Sequence, residues 1–452
     1  MPAVLDVDPD VYASAGRVFL DVNDAVCDVV AAAAKSANTG GGMAGVDSSG
    51  AAWAGAYDSA AASLLRARSA MVDAVGALGD RLTASGANHD DAEAASVPNG
   101  APAYPGQPGT TRAVGVVVSA PPSADGTPTD PPPGWWLVAH LLAWTWPAGH
   151  VDQLVEVGTG WLTASLKLAD EADRLSAPIA DLAGETSPEV ALAVSTCTGL
   201  QGTVRMLADQ YAVAARACTG YASAIGTAHR EVIAELVELI ITEAAVEAAG
   251  AILSAPTAGM AQVPTQSVAA SRASVAAARI GGILARLAED VLTLQNLMEG
   301  VTEQVVSVLT SLQQITEKQE LLQAVTQLVD EGIPPVDLQA NEDDNPSAHV
   351  LDRHVDKDDD YLKNRPKRVS STFTSLAAAT TALSTLLAAN RALITDWLAS
   401  GDRDVDLYGL LPRGAGRCYL RDSGQFVGAT RMKATLVRST NGYFIVTAFP
   451  LP

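Results

Sequence analysis

Two histidines stand five residues apart in the last quarter of this 452-residue chain, followed by an arginine and, near the carboxyl end, by a threonine. An imidazole titrates near neutral pH, so His354 is the best candidate for a general base and His349 for a second proton carrier or a positioning residue. Arg365 has forked donors that suit a phosphate, and Thr447 can donate to a non-bridging oxygen. Such groups could move the proton of a 2′-hydroxyl and stabilise charge on phosphorus while RNA is cut.

The second histidine is followed by a cluster of basic residues, Lys363, Lys367 and Arg368. We predict that this cluster and Ser371 bind the substrate, the basic side chains through backbone phosphates, so that affinity falls with salt. A solvated surface balanced by the aspartates at 358–360 is the competing explanation. Those contiguous carboxylates lack the pattern of a hard-cation loop, so we expect neither a metal nor another cofactor.

Charge divides the chain into two unlike parts. Residues 346–452 contain 14 Lys and Arg against 10 Asp, whereas residues 1–345 contain 15 basic and 41 acidic residues. A basic module behind an acidic one predicts a polyanionic ligand for the former and solubility for the latter. Net charge alone does not distinguish RNA from a membrane or an acidic protein.

The carboxy-terminal module is predicted to fold as one helix followed by an antiparallel sheet. The helix is expected to begin at Ser370–Phe373 with a Ser or Thr cap and to end at Gly401. Asn441-Gly442 predicts a tight hairpin turn because both residues tolerate positive φ. The expected strands are 417–420, 425–430, 433–438 and 443–449. Side chains of the last strand should alternate, so that one face holds Tyr443, Ile445, Thr447 and Phe449.

The order of these motifs is more specific than any one of them. Close resemblance to the bacterial RNase A-like toxin domain of contact-dependent growth inhibition and other polymorphic toxin systems is found in His349-x4-His354, Arg365, Ser371-Thr372-Phe373 and Val446-Thr447-Ala448-Phe449-Pro450. The resemblance covers residues 345–452. It implies metal-independent RNA cleavage on a kidney-shaped RNase A-like fold, with catalytic positions at His354, Arg365, Thr447 and Phe449.

Two positions depart from that family's pattern. Phe449 stands where the family usually has Tyr, which removes any role that needs a phenolic hydroxyl. Asp356 stands where Gly is common, which bears on the conformation of that loop. The resemblance also implies an RNA substrate, tRNA being one candidate, and a cognate immunity protein that we expect to be acidic.

Residues 1–95 are predicted to form a helical hairpin. Apolar residues recur at helical spacing from Val11 to Val29, the glycines at 40–42 end this helix, and a heptad seam runs from Tyr57 to Leu82. Trp53-Ala54-Gly55 falls in the predicted turn. A Trp-x-Gly between two such helices resembles the WxG superfamily exported by type VII (ESX) secretion systems, although no clear Tyr-x-x-x-Asp/Glu export signature follows it.

Residues 96–134 contain ten of the 24 prolines and are predicted to be a spacer. Residues 135–335 should form a larger helical domain whose Trp146-Pro147 entry resembles the WxG-like domain of actinobacterial secreted toxins. One long helix is expected from Ser187-Pro188-Glu189 to residue 250, and a second, with a heptad seam from Ile280 to Ile315, should pack against it. The toxin domain is then predicted at 336–452.

The fold class predicted is multidomain, mainly α, with a small α+β RNase A-like domain at the end. Acidic residues occupy the amino terminus where a signal peptide would be basic, and Trp135–Trp146 is too short to span a bilayer. We therefore expect export by type VII machinery with a small WxG helical partner, no stable membrane span, and action of the toxin domain in the cytoplasm of a bacterial or host target cell. Disulfides are not indicated.

Two other classes of function stay open at this stage. The chain could be a non-enzymatic secretion or membrane-interacting protein, which liposome binding without RNA cleavage would favour. The terminal domain could instead be another toxin enzyme such as an NAD glycohydrolase. The sequence has no Gly-rich phosphate loop for that activity, and an assay for NAD loss distinguishes it.

Overall fold

The first helix begins where the sequence supplies a cap and ends where the glycines begin. The computed structural model describes residues 7–96, 112–113, 120–253, 265–440 and 442–452. In it, α1 (Pro9–Asn38) is capped by Asp8, whose carboxylate accepts a hydrogen bond from the backbone N–H of Asp10 at 2.9 Å. Helix α2 (Ser48–Ser96) packs against α1, so the helical hairpin predicted from apolar periodicity is present.

Trp53 lies inside α2, not in the turn where the sequence pattern placed it. The helix begins earlier because the carboxylate of Asp47 accepts hydrogen bonds from two backbone N–H groups, including that of Gly50 at 3.1 Å. The Trp53 side chain is fully buried, and its ring centroid lies 5.1 Å from that of Tyr57 and 4.8 Å from that of Tyr221. The Trp53 ring therefore packs between the hairpin and the later helix that carries Tyr221.

Further helices between residues 136 and 330 complete this part of the described chain: α3 (Trp136–Ala139), α4 (Val151–Arg174), α5 (Ser176–Leu182), α6 (Val190–Leu253) and α7 (Thr265–Asp330). The heptad seam from Ile280 to Ile315 is almost entirely buried, and α7 packs against both α6 and α2. The predicted intramolecular partner is thus confirmed. Cys197 and Cys218 lie on the single helix α6, and the four cysteines are free in the structure.

The helical part has one continuous hydrophobic core. It includes Tyr12 of α1, Trp53 of α2, Trp161 of α4 and Leu322 of α7 in a single buried cluster. The predicted border between residues 95 and 135 therefore does not coincide with a break in the core, and the division into domains stays a prediction. Most of the Pro-rich spacer, 97–111 and 114–119, lies outside the described residues.

A second core belongs to the carboxy-terminal part, where short helices pack on two three-stranded antiparallel sheets. The fold class predicted from the sequence is confirmed. The helices are α8 (Leu338–Asp343), α9 (Val350–His354), α10 (Asp359–Asn364), α11 (Leu376–Ala389) and α12 (Arg391–Ser400). The strands are β1 (Val369–Phe373), β2 (Asp404–Leu410), β3 (Gly416–Leu420), β4 (Gln425–Gly428), β5 (Arg431–Ser439) and β6 (Gly442–Leu451). One sheet has the order β1-β3-β4 and the other the order β2-β5-β6.

The segment Ser370–Phe373 is a strand, so the predicted helix start at this place is wrong. Its β-branched and aromatic residues pair with β3 instead of capping a helix. The helix begins at Leu376, because Ser375 accepts a hydrogen bond from the Ala378 N–H at 3.1 Å. Strand β2 was not predicted, since its two aspartates and one glycine have low strand propensity.

The four strands predicted from 417 to 449 are confirmed with small changes at their ends. Of the predicted Asn441-Gly442 turn, Asn441 lies outside the described residues, and Gly442 has a φ of +122°. None of the helices in the described ranges is both long and apolar enough to cross a membrane.

Candidate active site

Strand β6 contains an irregularity that decides which of its side chains share a face. Thr435 of β5 pairs with Thr447 and the next residue of β5 pairs with Ile445, so Val446 is an extra residue, a β-bulge. Ile445 and Ala448 are consequently both buried in the core. The expected face of Tyr443, Ile445, Thr447 and Phe449 is therefore wrong: beyond the bulge, Thr447 and Phe449 lie together on the side opposite Ala448.

The bulge is held by a side chain from far away in the sequence. Asn341 of α8 donates to the Ile445 carbonyl and accepts from the Ile445 N–H, both at 2.9 Å. The carbonyl of the extra residue, Val446, accepts a hydrogen bond from the His349 N–H at 2.9 Å. The bulge therefore attaches the first candidate histidine to the strand that carries Thr447.

Both candidate histidines donate through the same ring nitrogen. His349 Nδ1 lies 2.9 Å from the carbonyl oxygen of Ser347, and His354 Nδ1 lies 3.4 Å from that of Ser371. A carbonyl oxygen can only accept, so each Nδ1 must carry the proton when the hydrogen bond forms. In the neutral ring, Nε2 is then the atom with the free lone pair.

The His354 ring lies between the other candidates. Its centroid is 6.3 Å from that of His349 and 5.3 Å from that of Phe449. The residue is only 7% exposed, so a substrate can reach no more than an edge of the ring. Burial, together with the positive charge of Arg365, lowers the pKa of His354 to about 4 and keeps the imidazole neutral at pH 7.

Arg365 is close enough to His354 to lower its pKa. The Arg365 guanidinium is hydrogen-bonded to α9, the helix that carries this histidine. Its Nη1 donates to the carbonyl of Arg353 at 3.3 Å, and its Cζ lies 5.7 Å from the centroid of the Tyr361 ring. Asp356 adopts a positive φ of +49°. Gly adopts this left-handed conformation without the strain that a side chain introduces.

The basic cluster is exposed and is organised by an arginine that sequence reasoning did not select. Lys363, Lys367 and Arg368 are exposed, and Arg368 pairs with Asp422 at 2.7 Å. Arg421 donates to the carbonyl of Lys363 at 2.7 Å and to that of Lys367 at 3.1 Å, and also bonds the Arg365 carbonyl. No local sequence signal identifies this role, because the loop and Arg421 are brought together only by the pairing of β1 with β3.

Ser371 and two of the three aspartates, Asp358 and Asp359, have structural partners. The carbonyl of Ser371 accepts the hydrogen bond from His354 Nδ1. Because Ser371 is only 4% exposed within β1, its hydroxyl does not line an open surface. Asp358 caps α10, and Asp359 pairs with Arg417. Across the described residues, no group of three or more His, Cys, Asp or Glu side chains could hold a metal ion.

Residues 348–450 match the family described as "Bacterial CdiA-CT RNAse A domain". The chain therefore carries a domain of this class at its carboxyl end, around the histidines and strands described above. A solved CdiA-CT/CdiI complex from Y. kristensenii 33638 aligns with 23% of this chain and 100% of its own chain, at 26% identity and a TM-score of 0.22.

Similarity to curated proteins extends beyond that domain. The "Outer membrane channel protein CpnT" of Mycobacterium tuberculosis (strain ATCC 25618 / H37Rv) is 30% identical over 232 residues, which is 51% of this chain and 27% of that protein. The "Putative NAD(+)--arginine ADP-ribosyltransferase Mav" of Mycobacterium avium (strain 104) is 30% identical over 188 residues, 41% of this chain and 22% of that protein. The chain thus spans about a quarter of these relatives' length. The first alignment is more than twice as long as 348–450, so it includes helical residues.

Proposed function

We propose that this chain is a secreted toxin whose residues 336–452 form a metal-independent endoribonuclease. The observation that carries the proposal is the meeting of two imidazoles, His349 and His354, with Phe449 of the last strand, inside the segment that matches the bacterial CdiA-CT RNase A family. Arg365 lies near enough to lower the pKa of His354. The basic surface at 363–368 suits a polyanionic substrate.

In the proposed reaction the RNA attacks itself. His354, neutral at pH 7, takes the proton of the 2′-hydroxyl, whose oxygen then attacks the adjoining phosphorus. Arg365 and Thr447 stabilise the charge on the non-bridging oxygens. His349 delivers a proton to the departing 5′-oxygen, so the products are a 2′,3′-cyclic phosphate and a free 5′-hydroxyl.

Phe449 has a packing role in this proposal. Its ring lies against His354 and cannot donate a hydrogen bond. A ring at this place restricts the motion of the imidazole and excludes water from one of its sides. Phosphate stabilisation must then come from Arg365 and Thr447 without help from a phenol.

The test incubates the full chain with total RNA in the presence of a chelator. We expect the wild type to cleave, and His354→Ala and Thr447→Ala to be slower by about 10²- to 10⁴-fold. His140→Ala, an exposed histidine outside the domain, is the matched control and should match the wild type. Equal activity of all four proteins would reject the site, and cleavage of a 2′-deoxy substrate would reject the mechanism.

Export and inhibition complete the proposal. The acidic helical part, with its buried Trp53 between helices, would be recognised by type VII machinery together with a small WxG partner. A ribonuclease endangers the cell that makes it, so a cognate immunity protein is expected to bind the basic domain, which would act in the cytoplasm of the target cell. Expression of the active chain should be lethal unless its immunity protein is co-expressed.

A second candidate, an NAD-consuming toxin, is favoured by one observation, the similarity to Mav, whose name describes an NAD-dependent transferase. The same incubation with NAD in place of RNA tests this candidate. If the chain consumed NAD, an NAD-consuming activity would take the place of the proposed ribonuclease. The non-enzymatic alternative predicts liposome binding with neither reaction.

A further inference from the structure

Three side chains form one row across the sheet of β2, β5 and β6. Lys433 of the central strand β5 pairs with Tyr408 of β2 on one side and with Phe449 of β6 on the other. Directly opposed residues of antiparallel strands point to the same face, so these three residues occupy one surface, which we call the cross-sheet row. At its Phe449 end the row contacts His354, with ring centroids 5.3 Å apart.

The other end of the row is open to solvent. Tyr408 is 61% exposed, and Lys433 Nζ lies 5.7 Å from the centroid of its ring. Strand β2 is at the edge of its sheet. The row therefore runs from the candidate catalytic histidine to the sheet edge across two strand spacings, about 10 Å. It presents an aromatic ring, a cation and a second aromatic ring in that order.

The ammonium group of Lys433 is held by an ion pair but can still contact a ligand. Lys433 Nζ donates to the carboxylate of Asp406 at 2.7 Å, and the Thr435 hydroxyl donates to the same carboxylate at 2.7 Å. The carboxylate is 41% exposed and the lysine side chain 24%. An ion pair this open to water contributes little to stability, and the ammonium group has three donors. Lys433 can therefore bind an arriving phosphate without leaving its place.

We propose that the cross-sheet row binds the nucleotide next to the scissile phosphate of a single-stranded RNA, with the base stacked on Tyr408 and its phosphate on Lys433. The inference rests on the proposed ribonuclease function and deepens it by naming a second subsite. Every base has a face that stacks on an aromatic ring, so this subsite tolerates different sequences. Paired bases do not offer that face, so the subsite selects loops and unpaired ends.

The test measures binding without cleavage. The full chain is titrated against a fluorescent six-nucleotide RNA made uncleavable by 2′-O-methyl groups, and the anisotropy is followed at several salt concentrations. We expect Tyr408→Ala to weaken binding about 5- to 150-fold and Tyr408→Phe to restore it. Lys433→Gln should reduce the slope of log affinity against log salt by about 0.7, the value for one phosphate contact on a single strand.

Leu410→Ala is the matched control, because Leu410 is 85% exposed on the same strand and takes no part in the row. It should bind the oligonucleotide as the wild type does. Wild-type affinity in both Tyr408→Ala and Lys433→Gln overturns the proposal, as does an equal loss in Leu410→Ala, which would assign the effect to the strand edge. Failure of the ribonuclease proposal is distinct, since it appears as intact cleavable RNA, whereas this assay needs no cleavage.

Discussion

Lowering the pH should destabilise the carboxy-terminal domain through His354. Burial, followed by the charge of Arg365, lowers the pKa of this residue from 6.5 to about 4. The folded state therefore keeps the imidazole neutral at pH values where the unfolded chain has already bound a proton. The unfolded state therefore binds more protons than the folded state. The stability that neutral His354 contributes is fully present above pH 6.5 and is lost as the pH falls towards 4.

The magnitude follows from the size of the shift. Each pKa unit corresponds to about 1.4 kcal/mol, so the free energy of unfolding should fall by about 3 kcal/mol once the pH is below 4. Between pH 7 and pH 5 the loss should be about 2 kcal/mol. A loss of this size is a large fraction of the stability of an ordinary domain.

Two measurements on the full chain check the prediction. Imidazole resonances are titrated by NMR, with His354 assigned by the signal that disappears in His354→Gln. Urea unfolding of β5 and β6 is then followed by hydrogen exchange at pH 7 and pH 5. The wild type should lose about 2 kcal/mol more than His354→Gln over this range, whereas His140→Gln should follow the wild type.

A His354 resonance that titrates near pH 6.5 would refute the reasoning, because the ring would then be as well solvated as in the unfolded chain. Equal pH dependence of unfolding in the wild type and His354→Gln would refute it as well. In the proposed cleavage reaction, the acid limb of kcat/KM should lie near pH 4, since this parameter reports the free enzyme.

Three further changes test the surroundings of the site. Arg365→Ala should raise the pKa of His354 in the NMR titration and slow RNA cleavage by about 10²- to 10³-fold; cleavage at the wild-type rate would remove this arginine from the site. Asp356→Gly should stabilise the domain by about 1 kcal/mol in urea unfolding, because it relieves a left-handed φ, whereas Asp358→Gly removes a cap and should not stabilise it. Asn341→Ala should cost about 1 to 3 kcal/mol, because two backbone groups at the bulge lose their partner; unchanged stability would show that the bulge forms without it.

Elements that depend on short-range patterns were predictable from the order of the residues alone. The heptad seam from Ile280 to Ile315 identified α7 and its need for a partner, because apolar residues at steps of four and three define one face of a helix. The order of His349, His354, Arg365 and the last strand identified the class of the terminal domain, which the family match at 348–450 supports. These signals are local or depend only on order along the chain.

Features that depend on a partner far away in the chain followed from the packing of the folded protein. Ser370–Phe373 is a strand because its backbone pairs with that of β3. The face occupied by Thr447 was set by a bulge that Asn341 holds from 104 residues earlier. The low pKa of His354 came from the burial of its ring, and the cross-sheet row came from the register of three strands. A side chain's neighbours and its solvation are properties of packing, and no spacing within one segment specifies them.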